Sequence, residues 1–283
     1  MSDNLFSGLE QLGLGDMSGL EVFEEEKKKE QEKEKEVKSP EASEEELLYD
    51  KTYTCPLCGK NFKTKVIRTG KNKLISTDTD LRSKYNIVDI VKYDCVVCGS
   101  CGYAALTRYF GKDTSRQLSL IKENISSKFK GIDENASIYT YDEAFIRYQL
   151  ALANAIVKKA HESERAYICL KLAWLLRGKS ENLPEDTENI ESVREELKKQ
   201  EQQFIENAYQ GFKIAMQKES FPICGMDEFT FIYLTAELAR KSKDYAVSLK
   251  LISDIITSKN AAPKIKDRAR DLKEMIKEEV NKK

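Results

Sequence analysis

The spacing of apolar residues divides the chain near residue 111 into a part that favours strands and a part that favours helices. Before this point, short runs rich in Val, Ile, Thr and Tyr are interrupted by Gly70 and Asn72, which predicts three or four short strands. After it, apolar residues recur every three or four positions, as on one face of an α-helix. This spacing predicts helices at residues 113–128, 140–160, 162–178, 187–219, 226–241, 243–258 and 262–281.

The predicted helices are expected to pack in pairs. Residues 226–256 contain two amphipathic helices joined by a short polar turn, with the small residue Ala246 early in the second helix. Residues 166–182 carry the aromatic and small residues typical of the first helix of a tetratricopeptide repeat, in which paired helices approach closely over about 34 residues. No segment has the full repeat pattern, so a plain helical bundle is the alternative. We predict a mainly α protein with a tetratricopeptide-like helical array in its C-terminal part and a small β module before it.

The N-terminal segment differs in composition from the rest of the chain. Residues 21–46 contain almost no apolar side chains, and such a segment cannot bury enough surface to offset its chain entropy. We therefore predict a disordered acidic tail over residues 1–48. The leader before residue 21 is more apolar, and it is either an ordinary chain end or a short docking peptide; its apolar residues include Leu5, Phe6, Leu9, Leu12, Leu14 and Leu20.

Charge is strongly segregated along the chain, although the net charge is only −1. Residues 21–47 carry 12 Asp and Glu against 6 Lys, a net charge of −6. Residues 51–110 carry 11 Lys and Arg against 4 Asp and Glu, a net charge of +7. Together with the change in apolar pattern, this predicts three zones: the tail at 1–48, a zinc-ribbon-like domain at 49–111 and the helical domain at 112–283.

The sequence also limits the compartment in which the protein is expected. No segment approaches the roughly 20 apolar residues that span a bilayer, and the first 20 residues contain no Lys or Arg of a secretory signal. We therefore expect a cytoplasmic protein without a membrane partner. Seven cysteines, an odd number in a reducing compartment, favour metal binding over a closed disulfide framework.

The strongest chemical signal is a pair of cysteines separated by two residues. Cys55 and Cys58 are followed by Gly59, and this pattern is typical of a turn that directs both sulfurs at one metal ion. A second C-x-x-C pair about 40 residues later would supply the other two thiolates of a tetrahedral structural zinc site.

Two overlapping pairs compete for the second half of this site. Cys95 lies in a strand-like run, where alternation predicts a small buried side chain. The segment 98–102 contains the turn formers Gly99 and Ser100, which allow the chain to reverse around a metal. We therefore predict Cys98 and Cys101 as the ligands, with Cys95 and Cys98 as the alternative pair.

Three motifs resemble those of the bacterial domain of unknown function 2225 family: TYTCPLCGKNFKTK, STDTDLRSKY and YDCVVCGSCGYAA. The later CLKLAWLLR, residues 169–177, fits the helical portion of that family. The resemblance covers roughly residues 51–283, and the chain differs from the usual pattern by having Gly99-Ser100 in place of a Pro and a bulky residue. It implies zinc ligands at Cys55, Cys58, Cys98 and Cys101, and it implies no activity.

We expect a non-enzymatic scaffold or adaptor protein with structural zinc and a helical-repeat surface that binds a protein or peptide. Four thiolates fill the coordination shell, whereas catalytic zinc sites keep one position open for water. We expect no small-molecule substrate, and the lesser alternative is thiol redox chemistry at a C-x-x-C pair. STDTDLRSKY is interpreted as a turn followed by a locally satisfied ion pair, and the alternative is a small polar site of Asp78, Asp80, Arg82 and Tyr85.

Nucleic-acid binding by the basic face of the ribbon is the main alternative. Basic side chains near aromatic rings suit contact with phosphates and stacking with bases, although Lys is also common on solvated strand faces. The candidate residues are Lys60, Lys63, Lys65, Arg68, Lys71, Lys73, Arg82 and Lys84, with Tyr53, Phe62 and Tyr85 nearby.

Overall fold

The computed structural model describes residues 43–68, 70–132 and 136–281. Residues 1–42, with the apolar leader and most of the predicted tail, lie outside the described residues. From Ser43 onward, the chain groups into one compact unit. The predicted boundary between a β domain and a helical domain near residue 111 stays a prediction.

Short strands form three antiparallel hairpins in the first part of the described chain. Their bounds are β1 Leu48–Thr54 with β2 Asn61–Ile67, β3 Leu74–Thr77 with β4 Ser83–Tyr85, and β5 Cys95–Val97 with β6 Ala104–Leu106. The structure therefore has more strands than the three or four that the sequence predicts. The strand β6 was not predicted because it consists of two alanines and a leucine, and alanine is uncommon in strands.

Helices make up most of the remaining described chain, which confirms the prediction of a mainly α fold with a small β part. Their bounds are α1 Ser115–Ile121, α2 Tyr141–Val157, α3 Glu162–Glu181, α4 Ile190–Lys218, α5 Glu228–Lys241, α6 Tyr245–Thr257 and α7 Pro263–Asn281. A π-helical turn, Lys122–Ser126, follows α1 and completes the predicted segment 113–128. Among the described helices, none has an apolar stretch long enough to cross a membrane.

Local capping chemistry explains where the helices start. The Thr140 hydroxyl accepts a hydrogen bond from the Glu143 N–H, and the Glu143 carboxylate accepts one from the Thr140 N–H, so each satisfies a donor at the start of α2. Asp227 caps α5 through the Thr230 N–H. Proline begins α7, where it lacks only an N–H that would have no partner within the helix.

The helix α3 is the most continuously buried stretch among the described helices. From Ala166 to Leu176 almost every side chain is buried, and a helix that is apolar on all sides is typical of a position inside a core. Each helix from α2 to α7 contacts the next one along the chain. The main hydrophobic core joins residues of these helices with Val97 and Leu106, so β5 and β6 belong to the same core as the helices.

An ion-pair network attaches the β3–β4 hairpin to the helices. Asp80 is fully buried in the hairpin turn, and its oxygens lie 3.0 and 2.5 Å from the two terminal nitrogens of Arg177 on α3. Lys241 at the end of α5 places its Nζ 3.0 Å from the same carboxylate. The hairpin turn is therefore held by partners about 100 and 160 residues away.

The neighbouring Arg82 extends this network. Its guanidinium donates to Asp89 at 3.0 Å and to Glu181, at the end of α3, at 2.9 Å. The interpretation of STDTDLRSKY as a turn agrees with the hydrogen bond from the Leu81 N–H to the Asp78 carbonyl at 3.0 Å. The ion pairs differ from the expectation, because Asp80 and Arg82 find their closest partners outside the motif.

The glycine at position 178 allows this network to pack against α3. A Cβ added there would lie 2.6 Å from Tyr141 Cε1 and 2.8 Å from Asp89 Oδ2. Alanine normally stabilises a helix interior by about 1 kcal/mol relative to glycine. Here we expect Gly178→Ala to destabilise the protein by about 1–3 kcal/mol, because overpacking outweighs the gain in propensity. Urea unfolding measures the difference, and a stabilised variant would contradict the close packing.

Candidate metal centre

The first cysteine pair lies in the turn that joins β1 to β2. The Cys55 carbonyl accepts a hydrogen bond from the Gly59 N–H at 3.0 Å, and the Cys55 N–H donates to the Lys60 carbonyl at 2.9 Å. Gly59 has φ 74°, in the left-handed region that favours glycine. The tight turn leaves Cys55 and Cys58 on the same side of the hairpin end.

The second pair lies in the turn between β5 and β6 and repeats this geometry. The Cys98 carbonyl accepts from the Gly102 N–H at 2.9 Å, and the Cys98 N–H donates to the Tyr103 carbonyl at 2.8 Å. Gly102 has φ 73°, and an added Cβ would lie 2.7 Å from the ring of Phe129. Cys98 and Cys101 therefore occupy the positions that Cys55 and Cys58 occupy in the first turn.

The two turns bring four sulfurs together. The Sγ atoms of Cys55, Cys58, Cys98 and Cys101 all lie within 4.8 Å of one another. Cys55 and Cys101 are 3.6 Å apart, and Cys58 and Cys98 are 3.7 Å apart. A tetrahedral zinc ion with Zn–S bonds of about 2.3 Å separates its sulfurs by about 3.8 Å. A disulfide would need about 2.05 Å, so the spacing fits a shared metal ion better than a bond between sulfurs.

The surroundings of the cluster are apolar on one side and open on the other. Cys55, Cys98 and Cys101 are buried, whereas Cys58 is exposed. An ion can therefore reach the cluster from the side of Cys58. Aromatic rings cover the buried side, and this shell orders the sulfurs and excludes water. The rings belong to Tyr53, Phe62, Tyr103 and Phe110, which contact one another edge to face or stacked.

The protonation of the thiols shows what a cation would change. A hydrogen bond from Cys101 lowers the pKa of Cys55 to about 5, with help from nearby backbone N–H groups. Burial raises the pKa of Cys98 to about 11, and the hydrogen bond to Cys55 together with burial raises the pKa of Cys101. Without a cation, Cys98 and Cys101 therefore keep their protons at neutral pH, and a bound divalent ion would displace them.

The other cysteines lie away from this cluster. Cys95 is buried in β5, where its thiol donates to the Arg147 carbonyl at 3.4 Å. Cys169 and Cys224 are also buried, as expected for thiols in helix-rich segments. The structure thus places Cys98 with Cys101, and not with Cys95, beside the first pair. His161 precedes α3 and lines a cavity described below.

Several residues of the predicted nucleic-acid face have other roles. Arg82 and Phe62 are buried, Lys65 pairs with Asp50 at 2.8 Å, and Lys84 pairs with Glu181. Exposed basic residues remain along the first hairpin and the segment after it, namely Lys60, Lys63, Arg68, Lys71 and Lys73. The exposed set is therefore smaller than the sequence suggested.

Tyr103 supports the second cysteine turn, a role that the sequence did not predict. Its carbonyl closes the second cysteine turn, and its hydroxyl donates to Asp113 and accepts from the Gly111 N–H at 3.1 Å. Asp113 in turn pairs with Lys158 at the end of α2. The sequence feature that could have indicated this role is the aromatic residue directly after C-x-x-C-G, because a ring at that position packs into the core next to the turn.

The sequence matches one protein family over most of its length. The model of a family described as "Uncharacterized protein conserved in bacteria (DUF2225)" matches residues 48–276, which include the four clustered cysteines and nearly all described helices. No curated protein and no solved structure matches the chain significantly.

Proposed function

Because the chain belongs to the domain of unknown function 2225 family, we propose that it is a non-enzymatic scaffold that uses a structural zinc ion and a helical protein-binding surface. The observation that carries this proposal is the cluster of four cysteine sulfurs at the ends of two hairpins. Four thiolates around one ion leave no open position for a reactive water, which is what structural sites have in common.

Zinc is the ion that this donor set favours. Thiolates are soft ligands, and four of them in a tetrahedral arrangement are typical of zinc or iron–sulfur sites. Two hairpins that each carry a C-x-x-C turn support the description as a zinc-ribbon-like module. The ion would stabilise the folded hairpins directly, because the site does not exist in the unfolded chain.

The helical part supports the binding role. Helices that each contact the next one along the chain are typical of stacked arrays, which present extended surfaces to proteins or peptides. That these helices form a tetratricopeptide-like array is part of this proposal. The lesser alternative is thiol redox chemistry, which the lowered pKa of Cys55 favours and the burial of its sulfur opposes.

Crosslinking in cells that naturally make the protein tests the proposal. The tagged full-length chain is purified with its crosslinked partners, and its metal content is measured in the same sample. We expect one zinc ion per chain and a specific protein partner, which an unrelated tagged protein of similar charge does not capture. A zinc-loaded chain that captures no protein, or that turns over a small molecule, would overturn the scaffold function.

The exposed basic residues of the first hairpin keep nucleic-acid binding as a second candidate. A gel-shift assay with single- and double-stranded oligonucleotides of mixed sequence separates the two functions. Binding through phosphates weakens steeply with salt because counterions are released. Absence of any shift at low salt would remove this candidate.

A further inference from the structure

A large cavity lies outside the cysteine cluster, and neither the metal site nor the family match assigns a role to it. Its volume is about 720 Å³, which is within the range of about 300–1,000 Å³ of typical ligand pockets. The walls come from the start of α1, the turn between α2 and α3, and the segment between α4 and α5. Its apolar lining includes Tyr109, Leu120, Pro222 and Ile223.

The charged groups inside the cavity already have partners. Lys158 is buried, and its Nζ lies 2.7 Å from Asp113 Oδ1 and 2.7 Å from Glu164 Oε1. The Glu219 carboxylate accepts hydrogen bonds from the Ser163 N–H at 2.9 Å and the Ser163 hydroxyl at 2.6 Å. The interior therefore offers apolar surface and paired charges, and its carboxylates would repel an anion that entered deeply.

The rim of the cavity has a different character. It carries the exposed cations Lys112 and Arg116, at the start of α1, and Lys159, in the turn between α2 and α3. Their side chains make no hydrogen bond or ion pair with any residue in the part of the chain that the structure describes. Unpaired cations around an apolar pocket complement a ligand with apolar groups at its centre and carboxylates at its ends.

Lys159 also has an unusual backbone conformation for a lysine. It has φ 55°, a left-handed conformation that usually falls to glycine at the end of a helix. Its N–H donates to the Ile156 carbonyl at 3.1 Å, and the Ala160 N–H donates to the Ala155 carbonyl at 2.9 Å. A lysine thus stands where glycine would fit the backbone better, and this lysine lines the cavity.

We propose that this cavity binds an acidic peptide segment of a partner protein. Apolar side chains of the peptide pack on the lining around Ile223 and Tyr109, and its carboxylates pair with Lys112, Arg116 and Lys159. The inference rests on the proposed scaffold function and gives it a binding site and a class of partner. The preference for a peptide over a small anion follows from the position of the free cations, which lie at the rim and not inside.

The turn between α5 and α6 provides a matched control for Lys159. Lys243 there has φ 62°, is exposed and does not line the cavity. Its N–H donates to the Arg240 carbonyl at 2.8 Å, and the Asp244 N–H donates to the Ala239 carbonyl at 2.8 Å, which is the same pattern as at Lys159. Lys159→Gly and Lys243→Gly therefore remove the same charge from the same backbone conformation.

The test uses the full-length chain and a short fluorescent peptide in which glutamate alternates with leucine. We expect this peptide to bind more tightly than a matched peptide with lysine in place of glutamate, and binding should weaken as salt is added. Lys159→Gly should weaken binding about two- to fivefold, as for loss of one exposed ion pair, whereas Lys243→Gly should leave it unchanged. Both variants should keep or raise the melting temperature, since glycine suits both positions.

A charge-reversed variant, Lys112→Glu with Arg116→Glu, should weaken binding by about tenfold or more, because both exposed contacts become repulsive. Equal binding of the acidic and basic peptides, or equal effects of Lys159→Gly and Lys243→Gly, would overturn the proposal. A partner that is crosslinked equally well by the charge-reversed chain would leave the scaffold function intact and locate binding elsewhere. Failure of the scaffold function itself would appear as a lack of any crosslinked protein with the unmodified chain.

Discussion

Cys101→Ser is expected to release the metal ion and to unfold the first hairpin, β1–β2. Structural zinc contributes an apparent stabilisation of about 10–16 kcal/mol in small zinc-binding peptides, and serine does not replace a thiolate ligand. The hairpin β5–β6 packs in the helical core, so it should lose its turn at 98–101 before its strands. Elemental analysis measures the metal, and limited proteolysis locates the cleaved segment, which we expect at residues 48–68.

Cys95→Ala provides the control for this variant. Cys95 is also buried and also belongs to a C-x-x-C pattern, but its thiol contacts the Arg147 carbonyl and not the cluster. We expect Cys95→Ala to keep its metal content and its resistance to protease. Loss of metal in Cys95→Ala, or full retention of metal in Cys101→Ser, would show that the cluster is not the metal site.

Arg177→Met is expected to lower the free energy of unfolding by about 3–5 kcal/mol, because it leaves the buried Asp80 carboxylate without its bidentate partner. Burial alone would raise the pKa of Asp80, but the hydrogen bonds and charge of Arg177, together with Lys241, hold this pKa well below its usual range. The carboxylate therefore contributes stability above a pH of about 4, and this contribution is lost as the pH falls further. Urea unfolding at neutral and acidic pH measures both effects.

Arg194→Met tests whether burial is the reason. Arg194 on α4 pairs with Glu191 at 2.8 Å, but both side chains are exposed. Exposed pairs of this kind contribute about 0–1 kcal/mol, so the control should change stability little. If both variants destabilise the protein equally, Asp80 does not depend on Arg177 as described.

Local patterns in the sequence were sufficient for much of this fold. The period of apolar residues located the helices, because each helix buries one or more faces whatever its partner is. The choice of Cys98 and Cys101 over Cys95 also depended on local chemistry. Gly99 and Ser100 favour a turn, and the structure has that turn with Gly102 in the left-handed conformation.

Contacts between distant segments were beyond such patterns. The sequence shows that Asp80 and Arg82 are charged, but it does not show that their partners are Arg177 and Glu181. In the same way, Gly178 looks like a weak point in a helix until the side chains beside it are known. The cavity rim could not be predicted either, because the segment with Lys112 and Arg116 meets Lys159 only in the folded chain.

The core that β5 and β6 share with the helices has a consequence for dissecting this protein. A fragment that began at residue 112 would lack Val97 and Leu106. The helix residues that pack against these two side chains would then expose apolar surface to solvent. Such a fragment would tend to aggregate, whatever its helices can do in the intact chain. Shortening the protein at the N-terminal side of residue 43 avoids this problem, since it leaves every described strand in place.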